Sequence, residues 1–202
     1  MPEITAVIFD WGGVLIEDPA PGLMRYCADA FGVPLDNYIS AHRQLQNDFQ
    51  KGLMPEERFW EEISRRLDRP QPAVPSLWGD AFRAGYKPRA EMFDLAAGLR
   101  SKGYKTGFLS NTEVPAMRFF HTLDYDMFDA LVFSCAEATH KPEPRVYAIA
   151  LERLGVEPAQ AVFIDDLPEY IEGARQVGLS TILFRSTAET KRRLIELGLE
   201  PD

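Results

Sequence analysis

The chain has 202 residues, 46% hydrophobic and 26% charged, which is the composition of a globular protein able to bury a core of its own. Acidic residues outnumber basic ones 31 to 22, for a net charge of −9. That balance argues against a nucleic-acid binder, because the basic runs Arg65–Arg66 and Lys191–Arg192–Arg193 sit among acidic and apolar helix formers and read as solvated faces rather than a stripe. Two distant cysteines, Cys27 and Cys135, form neither a disulfide framework nor a zinc motif, and both read as small buried residues. No run approaches the ~20 apolar residues of a membrane span, and the N-terminal residues lack the basic and apolar pattern expected of a signal peptide. The expectation is a cytoplasmic protein with a small-molecule partner, no nucleic acid and no membrane; oligomeric state has no signal.

In chain order, the first predicted strand is Ile4–Asp10 (ITAVIFD). From Ile16 to about Gly85 the pattern is helical, as in Pro55–Leu67 with Phe59, Ile63 and Leu67 on one face, followed by a proline-rich passage, Pro70–Pro75. No strand is predicted there, so residues 16–86 read as a small helical unit inserted into a core formed by 1–15 and 87–202. Met92, Leu95, Ala96 and Leu99 then mark a helix stopped near Gly103, before a strand at Tyr104–Asn111. A strand at Ala130–Cys135 precedes a helix through Val146, Ile149, Ala150 and Leu154, ended by Gly155. A strand at Ala161–Asp166 precedes a helix through Tyr170, Ala174 and Val177, ended by Gly178. A last strand spans Ser180–Arg185. Continuous apolar strands alternating with helices predict an α/β fold, a doubly wound parallel sheet covered on both faces.

Open α/β sheets bind ligands beyond the carboxyl ends of their strands. Asp10 ends the first strand, Ser110-Asn111-Thr112 the second and Asp165-Asp166 the fourth, while Thr139-His140-Lys141 stands before a proline-started helix. Three carboxylates among oxygen donors suit a hard cation such as Mg²⁺. Ser110 can donate to a phosphoryl oxygen, Lys141 can offset its charge, and a carboxylate can act as nucleophile. Taken singly, Asp10 would read as a turn residue and Ser110 as a helix cap; it is the set that points to chemistry.

Four segments, Phe9-Asp10-Trp11-Gly12-Gly13-Val14-Leu15, Leu109-Ser110-Asn111-Thr112, Lys141-Pro142-Glu143-Pro144 and Phe163-Ile164-Asp165-Asp166, resemble in order the four motifs of the haloacid dehalogenase superfamily. The resemblance covers residues 1–15 and about 88–185, and the inserted segment matches that family's helical cap in position only. It implies a magnesium-dependent phosphohydrolase acting on a small phosphorylated metabolite, with similarity to sugar-1-phosphate phosphatases. Asp10 would be nucleophile and metal ligand, the Gly12 carbonyl a second ligand, and Asp166 a third, with Asp165 assisting directly or through water. Ser110, Asn111 and Lys141 would hold the phosphoryl group.

One position departs from the family pattern. Phosphatases of that superfamily usually carry a second aspartate two residues after the nucleophile, as general acid and base; here it is Gly12. Losing such a group removes about 10²–10⁴ in rate. Glu17, Asp18 and His140 are the nearby groups able to replace it. Two rivals remain at this stage: a metal-free carbon–halogen hydrolase on the same fold, and a catalytically weak binder of phosphorylated ligands. Gly12-Gly13 is too short to cradle a phosphate and reads as a tight turn.

Overall fold

A computed structural model describes residues 3–201; Met1, Pro2 and Asp202, the ends of the expected core segments, lie outside the described residues. Five strands, β1 Ala6–Phe9, β2 Lys105–Ser110, β3 Ala130–Phe133, β4 Ala161–Asp165 and β5 Ser180–Leu183, form one parallel sheet in the order β3-β2-β1-β4-β5. They are the five expected runs, each shortened by at most two residues at an end. The helices are α1 Ala20–Phe31, α2 Leu35–Arg43, α3 Gln46–Gln50, α4 Glu56–Leu67, α5 Leu77–Gly85, α6 Ala90–Ser101, α7 Val114–Phe120, α8 Ser134–Glu137, α9 Pro144–Leu154, α10 Pro168–Gln176 and α11 Thr187–Glu196. Cys135, expected in a strand, falls in α8 and is only half-buried, whereas Cys27 is buried; both are free thiols.

The strands are apolar on both sides because both faces are covered. Val7, Phe9, Phe108, Val162 and Ile164 pack toward Met92, Leu95, Ala96 and Leu99 of α6. Ala6, Ile8, Leu109, Val132 and Phe163 pack on the opposite face against Val146, Tyr147, Ala150 and Leu154 of α9 and Ile171 and Ala174 of α10. The helices stop where the glycines predict: Gly155 caps α9 in the left-handed conformation at φ 62°, where a Cβ would be penalised.

Between β1 and α6 the chain makes five helices and, among the described residues, no strand. Helix α4 begins after Pro55 and buries Phe59, Trp60 and Ile63 on its apolar face. Glu56 in its first turn accepts hydrogen bonds from the Ser76 hydroxyl, the Trp78 backbone N–H and Trp60 Nε1, tying α4 to the cap of α5. The outgoing and returning segments lie side by side, with Glu17 N–H donating to the Lys87 carbonyl at 2.9 Å and Arg89 N–H to that of Leu15 at 2.9 Å. The basic runs lie on helix surfaces paired with acids: Arg65 and Arg66 with Glu62, and Arg192 and Arg193 with Glu196. Among the described residues no helix is long and apolar enough to cross a membrane.

Candidate active site

Parallel strands all present their carboxyl ends to one edge, so Asp10 after β1, Ser110 at the end of β2 and Asp165 at the end of β4 converge there. The Asp10 N–H still donates to the Ile164 carbonyl at 3.0 Å, which carries the ladder one residue past β1 and fixes the carboxylate at the rim. Lys141 reaches the same point. Its Nζ lies 2.7 Å from Asp10 Oδ1 and 2.6 Å from Asp165 Oδ2, and the side chain is only 1% exposed. Burial opposes the ammonium charge, but Asp10 and Asp165 outweigh it and hold the Lys141 pKa above the ordinary lysine value.

Lys141 is positioned by neighbours on several elements. Asn111 brackets its backbone: Asn111 Oδ1 accepts from the Lys141 N–H at 2.8 Å, and Nδ2 donates to the Lys141 carbonyl at 3.0 Å and to the Tyr170 hydroxyl at 3.2 Å. The ammonium sits 4.8 Å from the centre of the Tyr170 ring and 5.4 Å from that of Phe163, within cation–π range. Asn111 therefore spends its amide on the lysine loop, although it also lines the cavity above the site. Ser110 is 3% exposed and lines the same cavity.

Asp10, Asp165 and Asp166 offer carboxylate oxygens that all lie within 4.8 Å of one another. One ammonium against three carboxylates leaves net negative charge. Burial first, then the charge of Asp165, push the Asp10 pKa well above the usual carboxylate range against the pull of Lys141. Asp166 is raised as well, by burial and by Asp165. Crowded, partly desolvated carboxylates of this kind fit a hard divalent cation. The three do not have the same freedom. Asp165 already accepts from Lys141 Nζ on one oxygen and from the Leu167 N–H, at 2.8 Å, on the other. Asp166 pairs with no cationic side chain among the described residues. The Gly12 carbonyl likewise accepts no hydrogen bond among them. Gly13 makes the approach of Asp166 sterically feasible: at φ 88° it turns the chain, and a Cβ there would meet the Asp166 carboxylate at 2.4 Å. The tight turn expected of the glycine pair is thus required at Gly13, while Gly12 has no positive φ.

Of the three substitute proton donors, only Asp18 lines the cavity. Glu17 faces solvent beside Lys87, 3.3 Å away. His140 Nδ1 sits 2.8 Å from the Lys141 carbonyl, outside the cavity lining.

The cavity has a volume of about 220 Å³ and runs from Asp10 and Lys141 to a far wall made by the inserted helices and the loop after β2. That wall holds His42, Gln46, Gln50, Trp78 and Glu113, none of which stands out in the sequence. Glu113 had one overlooked signal, its place three residues after Ser110 on the same loop. The others are brought in by the packing of helices whose periodicity tells which face is buried but not what it meets.

A sequence model described as haloacid dehalogenase-like hydrolase matches residues 4–178. The chain belongs to this hydrolase family. It is 31% identical over 88% of its length to mouse acyl-CoA dehydrogenase family member 10, and 28% identical over 92% to rat bifunctional epoxide hydrolase 2. It spans only 17% and 37% of those two proteins. A phosphorylated carbohydrates phosphatase of Thermotoga maritima is 26% identical, with 88% of this chain and 83% of the relative aligned. The fold is that of a haloacid dehalogenase family enzyme of Bacteroides thetaiotaomicron solved with magnesium and inorganic phosphate. The TM-score is 0.75 at 22% identity, covering 90% of this chain and 94% of that one.

Proposed function

We propose that the chain hydrolyses a small phosphate monoester, such as a sugar phosphate, through an aspartyl-phosphate on Asp10. The observation that carries this reading is the cluster of Asp10, Asp165 and Asp166 at the carboxyl edge of the sheet, with the buried Lys141 ammonium paired to the first two. The phosphatase relative of similar length and the magnesium and phosphate complex of the shared fold support the same class.

In this account Asp10 attacks phosphorus with one oxygen while Lys141 holds the other. Lys141 and Ser110 face the phosphoryl oxygens and offset the charge they develop, which is most of what phosphoryl transfer asks of a protein. The leaving group departs into the cavity, and water then cleaves the acyl phosphate and restores Asp10. Asp10, Asp166 and the Gly12 carbonyl would hold Mg²⁺, with Asp165 supporting them while it orients Lys141. Mg²⁺, when bound, supplies positive charge that lets the phosphate dianion approach three carboxylates. Residues 16–86 serve as a cap that excludes bulk water from the cavity and shapes its far wall.

Asp166 separates this reading from carbon–halogen hydrolysis, because a free carboxylate beside Asp165 has no use in a metal-free displacement at carbon. The test is phosphate release from a panel of monoesters with Mg²⁺ and after chelation by EDTA. Release that requires Mg²⁺ is expected. Full activity after exhaustive chelation, or halide release from 2-haloacids without phosphate release, would contradict it.

A further inference from the structure

We propose that the far wall of the cavity, centred on Glu113 and completed by His42, Gln46 and Gln50, is a hydrogen-bonding subsite that selects an uncharged, hydroxyl-bearing leaving group and rejects one carrying a second anion. The proposal rests on the phosphatase reading above and specifies which esters that site accepts.

The first argument is charge. Among the cavity-lining residues Lys141 is the only lysine or arginine, and it is engaged by Asp10 and Asp165. A second phosphate or a carboxylate on the leaving group would find no countercharge, and desolvating it unpaired is costly. His42 supplies none either. It is 5% exposed, and burial lowers its pKa to about 4, so the imidazole is neutral at physiological pH. Glu113, also 5% exposed, is pushed by burial to about 7, and neither its neutral nor its ionised form attracts an anion.

The second argument is unused hydrogen-bonding capacity. His42 is stacked on the Trp78 indole, 5.3 Å between ring centres and 2° between planes, and its Nε2 is buried with no partner. A second buried nitrogen without a partner, the Trp11 Nε1–H donor, belongs to another residue lining the same cavity. Buried polar atoms left unpaired are uncommon and call for a ligand or water. Glu113 accepts at Oε2 from Trp78 Nε1–H at 2.8 Å and is also hydrogen-bonded by the Gln50 side chain, so part of the capacity of its two oxygens is left for a ligand. Gln46 adds an amide donor and acceptor, and the Gln50 amide, which hydrogen-bonds Glu113, keeps its carbonyl oxygen. Neutral donors and acceptors on a small cavity wall match vicinal hydroxyls, while the rings of Trp78 and Phe82 supply the apolar walls.

The experiment compares kcat/KM for three phosphates of nearly equal size: propyl phosphate, glycerol 3-phosphate and 3-phosphoglycerate, with p-nitrophenyl phosphate as an activity control. Each productive hydroxyl contact is expected to contribute about 2- to 10-fold, so the two hydroxyls should place glycerol 3-phosphate about 4- to 100-fold ahead of propyl phosphate. An unpaired carboxylate should leave 3-phosphoglycerate behind glycerol 3-phosphate as well. Glu113→Leu should bring the glycerol-to-propyl ratio toward unity, whereas Glu113→Gln, which keeps hydrogen bonding, should retain most of it. Because a buried leucine there could impair folding, Gln46→Ala at the half-buried neighbouring position is a second probe and should lower the same ratio. A ratio cancels general losses of active protein, which a purely structural role would produce. Unchanged ratios in these variants, or 3-phosphoglycerate turned over as fast as glycerol 3-phosphate, would overturn the subsite while p-nitrophenyl phosphate hydrolysis left the phosphatase reading standing. No phosphate from any of the four esters would overturn both.

Discussion

The space that an aspartate would need at position 12 is constrained by Pro19: a Cβ built on Gly12 lies 3.1 Å from Pro19 Cδ. On the phosphatase reading, the lack of a donor at position 12 would make the leaving group depart largely as an anion. Rates across an ester series should therefore fall steeply as leaving-group pKa rises, and a flat plot with chemistry rate-limiting would direct attention to the cavity carboxyls Asp18 and Glu113. Gly12→Asp is expected to recover less than the ~10²–10⁴ a well-placed acid can give, because Pro19 must first yield. Metal binding offers a second comparison. Asp165 is occupied on both oxygens and Asp166 is not, so Asp166→Ala should raise the Mg²⁺ concentration for half-maximal rate more than Asp165→Ala. The reverse order, read from Mg²⁺ titrations, would assign the ligands the other way round. Glu113 sets a pH dependence of stability. Its ordinary value is 4.5 and burial raises it to about 7, so between those values the folded state holds a proton that the unfolded state has lost. Stability therefore falls as pH rises through that window, by roughly 3 kcal/mol in all. His42 acts in the opposite sense, losing stability as pH falls from 6.5 toward 4. In Glu113→Gln the first slope should vanish and the second remain. Denaturant unfolding should find that variant the more stable above pH 7 and equal to the parent near pH 4.5, and parallel profiles would refute the assignment.

At the level of elements, two contacts besides the Trp78–Glu113 hydrogen bond fasten the inserted helices to the sheet. Trp11, just past β1, meets Phe82 of α5 at 4.7 Å between ring centres and Phe120 of α7 at 5.3 Å. At the other side, the Ser134 hydroxyl beginning α8 donates to the Gln50 carbonyl at the end of α3, at 2.6 Å. Gly52 then passes so close that a Cβ would lie 2.1 Å from the Cys135 carbonyl, at a φ of 68°. Backbone, not a flexible side chain, occupies that space, so the clash can be relieved only by parting α3 from α8. Gly52→Ala should lower both the melting temperature and kcat/KM, because the same movement displaces Gln50 from the cavity wall. Phe82→Ala should cost about 3–5 kcal/mol, as for other large aromatic truncations in a core, whereas Leu53→Ala, at 61% exposure, should stay within about 0.5 kcal/mol. Equal losses for Phe82 and Leu53 in equilibrium unfolding would show that the Trp11–Phe82 contact does not fasten the two parts.

Across the whole molecule, the sequence makes legible what parallel topology dictates. Strands buried on both faces announce themselves as apolar runs, and their carboxyl ends share one edge, so Asp10, Ser110 and the Asp165–Asp166 pair can be placed together from residue order alone. Lys141 follows from its position before a proline-started helix. Asn111 is readable as a site residue, but not as the bracket of the Lys141 backbone, since that depends on a long-range approach of two loops. Apart from Glu113, which follows Ser110 on the same loop, the far wall is not readable. His42 and Trp78 sit at helical spacings that signal burial, and their stacking arises only when α2 and α5 pack. The central claim is that turnover passes through a covalent phosphate on Asp10. It is tested most directly by quenching the protein during turnover of a small phosphate monoester with Mg²⁺, reducing with borohydride, and reading residue 10 by peptide mass spectrometry. Asp10 is expected to be converted to homoserine only when substrate is present, and Asp10→Asn to show neither the conversion nor phosphate release. Sustained phosphate release with residue 10 unmodified, or conversion at another carboxylate, would contradict it.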